Sequence, residues 1–286
     1  MSRRDFIAVL AGPELPKLPE GLTAVSLRGF TAVLGAKARL WRKSVSRKAI
    51  LEGATLRQRQ IEALMVCGTV LPALPGMTIE PGRLPDLIAA NAPLLTQLAD
   101  ELFEQAQFQV SVSWEGGAPN DDGESRQLTD TIEKTLSPLV TDRIALPRID
   151  RMVWNNAILL PASDEVKLDR ALAAIDAAWS DRLRIRVIGP SPALSFASLG
   201  VRPIRRAEIA AAKAALDVSN SDDPQAIHAA RQAKLRIAPP EQWNDLRDAA
   251  ALLMTFSRCP SDPPPPLVYR WQEGRAEPGE HWRDVA

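Results

Sequence analysis

Histidine and cysteine, the side chains that most often hold metals or attack substrates, are nearly missing from this 286-residue chain, which has two of each. His228 sits among alanines in a helical stretch and His281 lies beside Trp282 in the tail, without a ligand set around either. Cys67 and Cys259 are far apart and without a metal-ligand partner, and a reduced cytoplasm with no disulfide framework is the simplest reading. No G-x-G-x-x-G, Walker loop, G-x-S-x-G or H-E-x-x-H occurs. Ser195 has no evident base, and the paired acids Asp164-Glu165 and Asp222-Asp223 stand at helix starts, where the dipole explains them. The expectation is a protein without cofactor or metal, and not an enzyme. An excess of one charge is missing too: 35 Lys+Arg balance 35 Asp+Glu. Nucleic-acid binding needs a basic surface to displace counterions, so no nucleic-acid partner is expected. Seven scattered tryptophans form no stacking array for single strands. No apolar run approaches the ~20 residues that cross a bilayer. Arg3 and Arg4 precede a short apolar stretch, but Asp5 interrupts it and Gly12-Pro13 ends it, so it reads as a strand rather than a signal peptide. A soluble, cytoplasmic protein with no membrane insertion is expected.

What the chain does have is alternation and punctuation. Phe6 to Leu10 reads as a buried strand, and Leu22 to Val25 and Phe30 to Leu34 as two more around a turn at Arg28-Gly29. Arg39, Arg42, Lys43, Arg47 and Lys48, with Trp41 among them, read as a solvated helix face. Thr55 is placed to cap a helix reaching Cys67, with Leu56, Ile61, Leu64 and Met65 as its stripe. Val70-Leu71-Pro72 leads out as a strand. Leu84 to Leu102 reads as a helix that could break at Pro93, and Gln107 to Trp114 as a half-buried strand. Glu115 to Ser125 reads as a loop, and its acids fail the calcium-loop spacing. A helix follows from Leu128 to Val140.

The clearest unit runs from Asn155 to Phe196. An apolar strand, Asn155 to Pro161, is followed by Ser163 as N-cap and acids in the first turn. The helix then carries Val166, Leu168, Leu172, Ile175 and Trp179. Arg182 to Ile188 alternates basic and apolar, as a strand with one wet face does, and Gly189-Pro190-Ser191-Pro192 is expected to end it. The order NNAILL, helix, RLRIRVIGPSPALSF resembles the C-terminal core of the gas vesicle protein L/F family (GvpL/GvpF). Gly189, Pro190, Pro192, Ser195 and Phe196 carry that likeness; Ala193-Leu194 depart from the family's proline and aromatic residue. Upstream, Arg57 to Leu64 leading into Thr69-Val70-Leu71-Pro72 resembles the family's helix and TVLP strand, with Gln60 where a histidine is common. Farther on, the stretch from Ala215 to Trp243 distantly resembles the start of a J domain. Its histidine-proline-aspartate signature falls on Ala238-Pro239-Pro240, so two of three residues are gone.

Together these readings give an α+β fold: two small α+β domains with mainly antiparallel sheets, 1–114 and 126–202, joined by an exposed loop, 115–125. A helical region, 203–260, and a proline-rich charged tail, 261–286, complete it. The resemblance implies an accessory protein of gas vesicle assembly whose partners are the hydrophobic shell subunit and other accessory proteins, associated with the vesicles and without a small-molecule substrate. It makes Leu71, Pro72, Gly189, Pro190, Pro192, Ser195 and Phe196 the candidate structural or interaction positions. The alternative is a small-molecule-binding α+β regulator without catalysis, since open-sheet units of this kind also build ligand domains.

Overall fold

The computed structural model describes residues 2–12, 18–37, 46–115, 122–149, 151–180, 182–219 and 223–274. Arg39, Trp41, Arg42, Lys43, Asp121, Asp222 and the tail with His281 lie outside the described residues. The elements in chain order are β1 (Arg4–Ala11), β2 (Thr23–Leu27), β3 (Phe30–Lys37), α1 (Arg47–Ala63), β4 (Thr69–Pro72) and β5 (Thr78–Ile79). Next come α2 (Leu84–Glu101), β6 (Gln105–Trp114), α3 (Asp122–Leu136), β7 (Asp142–Ala145), β8 (Met152–Pro161), α4 (Glu165–Ala178) and β9 (Leu183–Ser191). The chain ends in α5 (Leu194–Ala197), β10 (Ser198–Arg202), α6 (Arg206–Leu216), α7 (Pro224–Ile237), α8 (Trp243–Arg258) and β11 (Leu267–Trp271). The fold is α+β, and the pairings within its two larger sheets are antiparallel.

The chain divides into two units. The first comprises Met1–Ala99 with Leu199–Trp271 and Arg275–Ala286. Its sheet runs β2-β3-β1-β4, with β5 also on β1. Phe6 to Leu10 are buried because β1 is central and has a covered side chain on both faces. The β2–β3 hairpin closes at Arg28 and Gly29, both with positive φ, the conformation a tight two-residue turn demands. Arg57 on α1 ties the sheet's end together. It meets Asp5 Oδ2 at 3.0 Å and donates to the carbonyls of Phe6, at 2.9 Å, and Ala73, at 2.8 Å. Burial pulls the Arg57 guanidinium down, and it raises the Asp5 carboxyl despite the arginine beside it. The last three helices enclose a core of their own from Ile209, Ala212, Leu216, Ile227, Leu246 and Leu253. Asn91, buried on α2, donates to Pro266 O and accepts from Val268 N, both at 2.9 Å, and so fastens the β11 segment.

The second unit, Asp100–Ser198 with Gln272–Gly274, holds a sheet of order β7-β8-β6-β9. Phe108, Val110 and Val112 of β6 are buried, as are Leu128, Ile132 and Leu136 of α3 and Leu168, Leu172 and Ile175 of α4. The i, i+3 and i, i+4 spacing of the helical residues gives each helix its inward stripe. Trp154 is buried yet satisfies its ring N–H by donating to Glu133 Oε1 at 2.9 Å.

Several elements depart from the sequence expectations. Helix α1 starts at the Ser46 cap, whose hydroxyl accepts from Ala49 N; Thr55 is interior and bonds back to Leu51 O. Leu56 is exposed rather than part of a buried stripe. Pro93 is exposed on α2, which continues through it. Helix α3 begins at Asp122, inside the stretch read as loop. Ser163 lies in a short 3₁₀ turn, Ala162–Asp164, and is not the cap of α4; Val166 is exposed. Strand β9 is not ended by Gly189-Pro190 but runs on to Ser191. An edge strand can carry a proline because one of its sides needs no backbone donor.

Candidate protein interface along strand β9

Strand β9 pairs with β6 alone, so it is an outer strand of its sheet and its far side leaves backbone N–H and C=O groups without a strand partner among the described residues. Its register against β6 sets two rows of side chains. Leu183, Ile185 and Val187 stand beside Trp114, Val112 and Val110, on the face that packs on the helices. Arg184, Arg186 and Ile188 stand beside Ser113, Ser111 and Gln109 on the other. Leu183 is buried, Ile185 is half-buried and Val187 is 38 % exposed, so the helix-side row loses its cover along the strand. Ile188 is 45 % exposed. Two neighbouring apolar side chains thus face water on opposite sides of an open edge.

Both ends of this strand are held firmly. At its start, Arg182 grips Glu124 through two bonds of 2.7 and 3.2 Å and lies over the Trp114 ring, 5.1 Å from the centroid. These bonds push the Arg182 pKa up. Trp179 meets Trp114 edge-on at 5.5 Å, and Trp114 Nε1 donates to Ser125 Oγ.

At its end the anchor is Gln107, a buried polar residue of β6. Gln107 Oε1 accepts from Ser195 N at 2.8 Å, and its Nε2 donates to Ser195 Oγ at 3.3 Å. Ser191 Oγ donates to Gln107 O at 3.2 Å, and Ser195 O accepts from Glu273 N at 2.9 Å. Gly189 has φ +149°, and a Cβ there would lie 2.8 Å from Gln107 O and 2.7 Å from Phe108 Cδ1. Only glycine suits both the torsion and the space. The Gly189-Pro190 peptide is cis. Beyond it, Pro192 and Phe196 are buried, Phe196 fully so.

The residues singled out in the sequence fall into two places. Gly189, Pro190, Pro192, Ser195 and Phe196 come together at the end of β9. Leu71 and Pro72 belong to the first unit, where they are buried on β4 opposite Val9 and Ala8. Of the seven, Gly189 and Pro190 are exposed and Ser195 is partly so. Gln107, which organises the cluster, was legible only as one polar position of an alternating strand. Burial raises the pKa of both thiols, the opposite of what activates a nucleophile, and Asp86 beside Cys259 adds to the effect there. Among the described residues no group of His, Cys, Asp and Glu is arranged to hold a metal, and no helix is long and apolar enough to cross a membrane.

Residues 121–198 match the family described as gas vesicle synthesis protein GvpL/GvpF, a span from the start of α3 to the end of the β9 cluster. No curated protein matches the chain in sequence. Among solved structures, the gas vesicle protein GvpF from Anabaena sp. PCC7120 is similar with a TM-score of 0.55 at 17% identity, covering 68% of this chain and 94% of that one. The gas vesicle protein GvpF from Microcystis aeruginosa gives 0.53 at 18% identity, over 67% of this chain and 97% of that one. At such identities the two likenesses are ones of fold.

Proposed function

We propose that this chain, whose residues 121–198 match the GvpL/GvpF family, is an accessory protein of gas vesicle assembly. In this reading it binds the small hydrophobic shell subunit, and other accessory proteins, during nucleation or growth of the shell. A subunit that polymerises through apolar faces is prone to aggregate before it reaches the growing shell. An accessory protein that covers such a face keeps it available for addition without any catalytic step. The observation that carries the reading is the family match, which spans the second unit's helices and its β9 cluster.

Zero formal net charge offers little long-range steering, so apolar and backbone contacts supply the affinity. Such binding weakens only slightly as salt rises, because salt screens exposed charge and leaves apolar burial intact. The test is co-purification with the shell subunit at low and high salt, together with deletion of the gene in a vesicle-forming host. Expected are recovery of the shell subunit at both salts and loss of vesicles in the deletion strain. No recovery under any condition, with vesicles still forming, overturns the assembly role.

A further inference from the structure

Strand β9 carries the devices that keep a sheet edge from pairing with its own kind. Arg184 and Arg186 are exposed and have no ion-pair partner among the described residues. Antiparallel pairing of β9 with a second β9, keeping the helix-side faces together, sets arginine against arginine in two registers. A register centred on Ile185 opposes Arg184 to Arg186, and one centred on Arg186 opposes that residue to itself. Like charges directly opposite each other destabilise a strand pair. In the register centred on Val187, Arg186 meets Ile188 instead. Strand β9 has no acidic residue, so a second copy of this chain gives the arginines no carboxylate partner in any register and fits this edge less well than an acidic segment.

The same two rows describe the occupant that fits. A strand laid along β9 would continue the helix-side row next to Ile185 and Val187, where an apolar side chain covers what α4 leaves open. On the other face its neighbours would be Arg184 and Arg186, where a carboxylate finds a cross-strand partner. We infer that β9 is a strand-addition site for an extended partner segment in which apolar and acidic residues alternate. Backbone hydrogen bonds supply the docking, and the two arginines select the segment by charge. The anchors at Arg182 and Gln107 hold the strand near both ends, so little ordering is needed on binding.

This inference concerns the edge and its charge, and stands whether or not the segment belongs to a vesicle protein. The probe is a blocked peptide as long as the nine residues of β9, alternating valine and glutamate, offered to the full chain. Three controls accompany it: a valine-lysine peptide, a valine-glutamate peptide N-methylated on alternate residues, and an Arg184→Glu/Arg186→Glu variant. Binding is read by titration and by amide exchange. The glutamate peptide is expected to bind about tenfold or more tightly than the lysine peptide and to slow exchange in β9. The charge-reversed variant is expected to invert that preference, and N-methylation to abolish binding. Unchanged exchange in β6 and β8 verifies that the variant is folded; an Arg184→Gln/Arg186→Gln variant, which loses the preference without inverting it, serves should the first unfold. Equal binding of both peptides, retention after N-methylation, or no binding of either overturns the inference, as does dimerisation of the chain through β9. None of these outcomes bears on the vesicle phenotype of the deletion strain, so the two readings fail separately.

Discussion

A methyl group at position 189 would have to share space with Phe108 Cδ1 and Gln107 O while adopting a torsion that side chains avoid. Gly189→Ala is accordingly expected to destabilise by about 1–3 kcal/mol in denaturant titration. Phe196 is fully buried in the same unit, and Phe196→Ala is expected to cost about 3–5 kcal/mol. In the first unit, Arg57 serves the carbonyls of Phe6 and Ala73 as well as Asp5. Arg57→Met should therefore cost about 1.5–3 kcal/mol, and more than Asp5→Asn, since it strands backbone acceptors. Asp5 also fixes a sign. Its folded pKa lies above the ordinary value because burial outweighs the pull of Arg57. The stability it contributes is present below the unfolded pKa and is lost as pH rises through the raised folded one. Moving from acid towards neutral pH, the stability difference should shift in favour of Asp5→Asn, readable from paired denaturation curves.

Helix α2 shows how an element can override a breaker. Pro93 stands on its exposed side while Leu87, Ile88, Asn91, Leu95 and Leu98 are buried on the other, so packing holds the helix together across one missing donor. Removing the proline should release that cost: Pro93→Ala is expected to stabilise the chain by up to about 3 kcal/mol, seen as a raised unfolding midpoint. Strand β6 and helix α4 were legible in the sequence because apolar side chains recur there at the period of the element, and β1 and β8 because burial on both faces leaves a continuous apolar run of strand length. The positions around Gly189 were legible as a resemblance, but not as a cluster. What joins them is Gln107, some eighty positions earlier, and a long-range hydrogen bond leaves no local period. The true start of α1 at Ser46 was hidden because most of the helix's first turns are solvated and show no buried stripe. The run of β9 past a proline was hidden for a related reason: whether a strand is central or at an edge is decided by its neighbours, and the tolerance for proline follows from that.

At the scale of the whole molecule, the first unit is assembled from both ends of the chain. Tyr269 on β11 lies flat against Gly200 on β10, where a Cβ would come within 2.1 Å of the ring, and Asn91 on α2 bonds the residues on either side of Leu267. Truncation after Pro203 is therefore expected to speed amide exchange in α2 while β6 and β8 stay protected, and a chain whose α2 amides kept full protection would contradict this. The discontinuity has a second consequence, in time rather than in space. A ribosome delivers the chain from its N-terminus, and domains generally fold as they emerge. Residues 100–198, the second unit apart from Gln272–Gly274, leave the exit tunnel as one continuous stretch, whereas the first unit must wait for Leu199–Trp271. The middle of the polypeptide can thus reach its native sheet on the ribosome before its beginning does. Through that interval β1 to β5 and α2 are made but unfinished, which is when a nascent chain of this design most needs shielding.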